Sequence, residues 1–104
     1  MFTVIETPTF SRLAEDYWTE EERGAFAAFI AVNPDAGDVV PGSGGVRKVR
    51  WGLAGRGKRG GVRVIYYNRL ADGEIWLLLV YGKNVRENIP AHVLRQIKEE
   101  IESA

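Results

Sequence analysis

The residues in this chain best suited to chemistry are eight cations that lie between Val39 and Ala71, a stretch without a single Asp or Glu. Lysine and arginine side chains bind phosphate groups, and several together can stabilise the extra negative charge of a phosphodiester under attack. The ordinary alternative is a solvated face that keeps the protein soluble. We favour a surface for phosphates or an acidic partner, because uncompensated cations repel one another and the acids are grouped elsewhere, at Glu15 to Glu22 and Glu99 to Glu102. The eight cations are Arg47, Lys48, Arg50, Arg56, Lys58, Arg59, Arg63 and Arg69.

Several other kinds of active site are excluded by the residue types present. The absence of cysteine excludes a disulfide framework, a thiolate nucleophile and any cysteine-based zinc or iron–sulfur site. The lone histidine, His92, would need carboxylates to hold a metal, and we expect it on the surface or in helix packing. The glycine-rich run GRGKRGG at 55–61 lacks the GxxxxGK[ST] spacing of a P-loop and the helix that follows one. Nucleotide hydrolysis by that route is therefore not expected.

What remains is catalysis by positive charge, for which RNA supplies its own nucleophile. Lysine and arginine can position a phosphodiester, stabilise its transition state and favour ionisation of the adjacent 2′-hydroxyl without a metal. Arginine keeps its proton in proteins and is a poor proton carrier. Lys48, Lys58 and Lys83 are therefore the better acid–base candidates, since neighbouring cations favour the loss of a lysine's proton.

Length and composition predict one folded domain, residues 1–104. The chain is 45% hydrophobic with a formal net charge of zero, which is far from the composition of disordered chains. It has no apolar run of eighteen residues, and its N-terminus lacks a basic region followed by an apolar core. We expect a soluble, cytoplasmic protein.

The first third of the chain predicts a strand and two helices. Phe2 to Thr7 alternates apolar and polar residues, as in a half-buried strand, and Pro8 ends it. From Pro8 the spacing becomes helical, with Phe10, Leu13, Ala14 and Tyr17 on one face. The run Thr19 to Glu22 has the form of a capping box and predicts the start of a second helix with an apolar stripe, which ends at Asn33. We expect the two helices to form a helical hairpin. The stripe of the second helix comprises Ala25, Phe26, Phe29, Ile30 and Val32.

The rest of the chain predicts a small, mainly antiparallel sheet and a final helix. A loop from Asp35 to Gly45 leads to a strand, Val46 to Trp51, whose Lys48 and Arg50 share one face while its Val49 and Trp51 share the other. A cationic hairpin loop then joins it to the next strand. The last strand is apolar on both faces and is the candidate for the central strand. The predicted order is β-α-α-β-β-β-α, an α+β fold. The remaining elements are the loop Gly52 to Gly61, the strands Val62 to Asn68 and Ile75 to Tyr81, the turn Ala71 to Gly73, and the helix from Pro90 with Val93, Leu94, Ile97 and Ile101 on one face.

Three motifs, in this order after two helices, carry a resemblance to a known family: GGVRKVRW at 44–51, GRGKRGGVRVIYY at 55–67 and VYGKN at 80–84. Together they resemble the RelE/ParE superfamily of bacterial toxins, closest to its HigB-like branch. The resemblance implies a RelE-like fold and a cytoplasmic toxin that enters the ribosomal A site and cleaves the mRNA there. It implies a cognate antitoxin, often with a helix-turn-helix domain, as a partner beside the ribosome and mRNA. It implies no metal and no cofactor.

The resemblance also assigns catalytic residues. Lys48 and Arg50 match the pair of cations that mRNA-cleaving members use on the second strand, Arg63 matches the arginine of the following strand, and Lys83 matches the cation at the end of the last strand. Contacts to RNA or the ribosome are expected from Arg47, Arg56, Lys58, Arg59, Asn84 and Arg86.

The sequence departs from the family pattern at two places. Asn84 stands where well-studied relatives carry an arginine, and Ile89-Pro90 stand where they place a catalytic tyrosine. The assignment of the general acid and base therefore stays open. Two alternatives to cleavage also stay open: the ParE branch inhibits DNA gyrase on the same fold, and a basic RNA-binding module would need no catalysis.

Overall fold

Five strands form one sheet in the structure, a computed structural model that describes residues 1–52, 61–82 and 89–103. Their order across the sheet is β1-β5-β4-β3-β2. β1 runs parallel to β5, and every other neighbouring pair is antiparallel. The predicted α+β class with a mainly antiparallel sheet is confirmed. The strands are β1 (Thr3–Glu6), β2 (Asp38–Val39), β3 (Arg47–Trp51), β4 (Val62–Arg69) and β5 (Glu74–Gly82).

The described residues include three α-helices, α1 (Pro8–Tyr17), α2 (Glu20–Val32) and α3 (Ala91–Ser103). The predicted capping box at the start of α2 is present: the Glu22 N–H donates to the Thr19 hydroxyl at 3.1 Å, and the Thr19 N–H donates to the Glu22 carboxylate at 2.9 Å. None of these described helices is long and apolar enough to cross a membrane.

The helices cover the two faces of the sheet separately. α1 and α2 pack on one face, the α1–α2 face, and α3 packs on the other, the α3 face, because alternate residues of β4 and β5 point to opposite sides. The core of the α1–α2 face comprises Phe10, Ala14, Trp18, Phe26, Ile30, Val62, Val64, Tyr66, Ile75, Leu77 and Val80. The core of the α3 face comprises Val46, Ile65, Tyr67, Leu78, Tyr81, Leu94 and Ile101.

The sheet differs from the sequence-based expectation in two ways. The segment predicted as a loop from Asp35 to Gly45 contains the short edge strand β2, which pairs with β3. The predicted central strand, β5, has neighbours on both sides, but β4 lies in the middle of the order. Two residues are too few to show an alternating pattern, which is why β2 was not predicted.

The apolar stripe predicted for α2 is narrower in the structure. Phe26 and Ile30 are fully buried, whereas Val32 is 60% exposed. Val32 follows Ile30 by two residues, about 200° around the helix, so it points away from the sheet. Ala31 is buried instead, and Ala25 is exposed.

An ion pair ties β1 to both N-terminal helices. The Arg23 guanidinium on α2 donates to both carboxylate oxygens of Glu6 on β1, and the Ser11 hydroxyl on α1 donates to the same carboxylate at 2.7 Å. The hydrogen bond from Arg23 holds the pKa of Glu6 below its ordinary value, against the opposing effect of burial.

This ion pair makes a pH-dependent contribution to stability. Because the folded-state pKa of Glu6 is depressed, the contribution is fully present above the ordinary glutamate pKa of about 4.3 and is lost as pH falls through the folded value. Glu6→Gln should therefore lower the free energy of unfolding by about 1 kcal/mol at neutral pH, and the difference from wild type should fade in acid. Urea unfolding across pH measures it. Glu99→Gln, on an exposed part of α3, is the control, and a Glu6→Gln effect that stays constant down to pH 2 would contradict the assignment.

Candidate phosphate-binding site

Three of the predicted catalytic residues line one open depression on the sheet. Lys48 and Arg50 of β3 and Arg63 of β4 line it, and so do residues just before and at the start of β2. We call it the cationic depression. Its volume of about 520 Å³ lies within the range of small-ligand sites. Its lining residues are Ala36, Gly37, Asp38, Lys48, Val49, Arg50 and Arg63.

Strand register explains why these cations share a face. Arg50 pairs directly with Arg63, and Lys48 pairs directly with Ile65, whose side chain is buried under α3. Paired residues of neighbouring strands project to the same side, as do residues two apart along one strand. Lys48, Arg50 and Arg63 therefore all project from the α3 face.

The opposite face of β3 anchors the strand, as the alternation predicted. Val49 and Trp51 pack against the core of the α1–α2 face. The Trp51 ring lies 4.7 Å from the Phe29 ring and 5.3 Å from the Phe26 ring, measured between centroids. Aromatic pairs at these separations are favourable beyond the area they bury. The cations of β3 thus stand on a strand that α2 holds in place.

The electrostatics of the depression favour an anion. Like charges directly opposite each other on neighbouring strands are destabilising, and Arg50 and Arg63 are such a pair. Within residues 1–52, 61–82 and 89–103, neither these arginines nor Lys48 has a side-chain hydrogen bond or an ion pair. Lys48 and Arg63 are half-buried and Arg50 is exposed, so their charges are accessible to a ligand. A phosphate bound between them would relieve the repulsion.

The segment from Pro34 to Asp38, which we call the wall, is held by hydrogen bonds to side chains of β3 and β4 that lie on the α1–α2 face. The buried Tyr66 hydroxyl donates to the Pro34 carbonyl at 2.9 Å and accepts from the Gly37 N–H at 2.9 Å. The Asn68 amide donates to the same Pro34 carbonyl at 2.7 Å. The Arg47 guanidinium donates to the Gly37 carbonyl at 2.6 Å. Burial raises the pKa of Tyr66, so its hydroxyl keeps its proton and its donor role at neutral pH.

Two of the eight cations between Val39 and Ala71 have partners within the fold. Arg47, predicted to contact RNA, pairs with Tyr66 in register, lies on the α1–α2 face and binds backbone carbonyls of the wall. Arg69 forms ion pairs with Asp72 at 2.9 Å and Glu74 at 3.9 Å, around a single 3-10 turn. Both acidic partners of Arg69 lie just beyond the acid-free stretch, so the sequence count overstated the uncompensated charge. RNA contact by Arg47 stays a prediction.

The other predicted site residues lie outside the described residues, and their assignments stay predictions: Arg56, Lys58, Arg59, Lys83, Asn84 and Arg86. His92 is exposed on α3, as expected. In the part of the chain that the structure describes, no three His, Asp or Glu side chains are grouped so that they could hold a metal ion.

Sequence reasoning missed three residues of this site. Asp38 and Gly37 fell within a predicted loop, and Tyr66 fell within a predicted strand without a role of its own. The glycine carried a usable signal, since a glycine beside a strand often marks a close approach of backbones. Tyr66 carried a weaker one, because a buried tyrosine hydroxyl usually finds a hydrogen-bond partner.

No protein-family model matches this sequence. Membership of a family is therefore not shown by such a match, and fold alone would not assign a function.

The close approach at Gly37 makes the wall sensitive to one added methyl group. A Cβ at residue 37 would lie 2.5 Å from the Lys48 carbonyl oxygen. Because that oxygen and the carrier of the Cβ both belong to the backbone, the clash can be relieved only if the backbone shifts. Gly37→Ala should lower the free energy of unfolding by about 1–3 kcal/mol. Gly52→Ala is the matched control, because no atom of the described residues lies within 4 Å of its added Cβ. Chemical denaturation compares the two, and equal stability of both variants would show that the wall is not packed as described.

Proposed function

We propose that this protein is the toxin of a type II toxin–antitoxin pair, a metal-independent endoribonuclease that cleaves mRNA in the ribosomal A site. Its fold would be RelE-like, closest to the HigB-like branch. The observation that carries the proposal is the direct pairing of Arg50 with Arg63, beside Lys48, in an open depression with no side-chain partners among the described residues. The three motifs that resemble the family include all three residues.

The chemistry that this arrangement supports is attack by the RNA's own 2′-hydroxyl. Arg50 and Arg63 hold the scissile phosphate and stabilise the negative charge that it gains in the transition state. The 2′-hydroxyl releases its proton to water, its oxygen forms a bond to phosphorus, and the bond to the 5′-oxygen breaks. This leaves a 2′,3′-cyclic phosphate and, once the 5′-oxygen takes up a proton, a 5′-hydroxyl. Arginine keeps its proton in proteins, so Lys48 is the group of the three that can transfer a proton to the leaving oxygen.

The partners follow from the same charges. A patch of cations that repel one another gains stability from any acidic surface that covers it, which suits both ribosomal RNA and an acidic segment of an antitoxin. The proposed location is the cytoplasm. The proposed partner is a cognate antitoxin, of helix-turn-helix type in the family pattern, and it would cover the depression until the antitoxin is removed.

The proposal predicts that single cation variants lose cleavage and keep the fold. Arg50→Ala and Arg63→Ala should each lower the single-turnover rate of mRNA cleavage on programmed ribosomes by roughly a hundredfold or more, the loss expected when one transition-state donor is removed. Thermal unfolding should be unchanged or slightly improved, because each variant removes a like-charge contact. Cleavage is measured at saturating ribosomes so that binding does not limit it.

Arg12→Ala, an exposed cation on α1, is the control and should cut like wild type. Wild-type rates in both arginine variants would reject the assignment of the site. An intact mRNA in the wild-type assay, together with inhibition of DNA gyrase in a parallel supercoiling assay, would replace the proposed activity with the ParE-type alternative.

A further inference from the structure

Asp38 is the one acidic residue that lines the cationic depression among the described residues. It pairs directly with Lys48 across β2 and β3, so its carboxylate projects to the same side as the three cations. Arg50 lies one row further along β3, as a diagonal neighbour of Asp38, and such neighbours are about 7–8 Å apart. An acceptor group thus stands at one end of the depression and the paired arginines stand at the other.

The carboxylate of Asp38 has no hydrogen-bond or ion-pair partner among the described residues. It forms no ion pair with Lys48, although their backbones are paired, and it has no side-chain hydrogen bond there. It is also exposed. An ionised carboxylate only accepts hydrogen bonds, so it needs a ligand that carries donors. A phosphate has none to offer in its ionised form, and it would be repelled.

A ligand that satisfies both ends of the depression needs a phosphate at one end and hydrogen-bond donors at the other. We propose that Asp38 is a specificity-determining residue that reads a guanine base next to the phosphate held by Arg50 and Arg63. This inference rests on the proposed function, since it identifies the nucleotide that the same site takes.

The choice of guanine follows from the donors that each base presents on its Watson–Crick edge. Guanine offers two adjacent donors, the N1–H and the N2 amino group, which match the two oxygens of a carboxylate. Adenine and cytosine offer one amino group beside an acceptor nitrogen, and uracil offers one N–H between two acceptor oxygens. Unstacked single-stranded bases are recognised on these edges. A carboxylate therefore discriminates in favour of guanine.

The simpler role for Asp38 is to reduce the charge of Lys48. That role makes a different prediction, because removal of the carboxylate would then strengthen the binding of every RNA to a similar degree. Base preference, and not affinity alone, therefore separates the two roles.

The test uses the full chain and four 2′-O-methyl pentaribonucleotides that cannot be cleaved by their own 2′-hydroxyl. Each has uridine at four positions and guanine, adenine, cytosine or uracil at the centre. Binding is measured by calorimetry at low ionic strength. The wild type should bind the guanine oligomer roughly tenfold or more tightly than the others, as expected for one two-bond contact to a base edge. Equal binding of all four, or binding of none, would overturn the inference.

Asp38→Asn tests the residue directly. Its amide accepts one hydrogen bond and donates another, which matches the Watson–Crick edges of adenine and cytosine, so the preference should move from guanine to these two bases. Asp35→Asn is the matched control, because it removes the same charge from the same segment outside the lining of the depression. A uniform gain for all four oligomers in Asp38→Asn would show that the carboxylate only balances charge.

The same variants on programmed ribosomes keep this inference distinct from the proposed function. A guanine preference that depends on Asp38, in a protein that leaves ribosome-bound mRNA intact, would overturn the activity and support the base contact. Cleavage that uses all four bases equally and does not change in Asp38→Asn would support the activity and overturn the base contact.

Discussion

The repulsion between Arg50 and Arg63 is the interaction on which this account depends. The two guanidinium groups project from directly paired positions of neighbouring strands, without a side-chain counterion in the described part of the chain. Such a pair raises the free energy of the folded state, and an anion between the two groups lowers it again. The stability of the sheet is therefore linked to the binding of an anion between the two groups.

The rest of the fold keeps these charges together against their repulsion. Trp51 and Val49 fix β3 to the core under α2, and Ile65 fixes β4 under α3, so neither strand can move away without exposing apolar surface. The wall from Pro34 to Asp38 is held by the buried hydroxyl of Tyr66, and it closes the site on the side of β2. Rigid strands on both sides of a phosphate are what preorganised charge stabilisation requires.

Much of this arrangement could be predicted from the sequence, because it depends on short periodic patterns. The alternation around Lys48 and Arg50 predicted both the cationic face and its apolar anchor, and the Thr19 to Glu22 spacing predicted the start of α2. The rest depends on contacts between distant segments. The pairing of Asp38 with Lys48, the support of Pro34 by Tyr66 and the neutralisation of Arg69 by Asp72 and Glu74 arise from register and turn geometry, which no local pattern contains.

We propose that this cationic face cleaves RNA by using the RNA's own 2′-hydroxyl. The most direct measurement maps the ends of mRNA cut on programmed ribosomes and repeats the assay with 2′-deoxy substitutions, one nucleotide at a time, in the A-site codon. Attack by the 2′-hydroxyl predicts 2′,3′-cyclic phosphate and 5′-hydroxyl ends, and the loss of each cut when the nucleotide on its 5′ side lacks the 2′-hydroxyl. Cuts that persist on the substituted mRNA, or that carry 5′-phosphate ends, would contradict it.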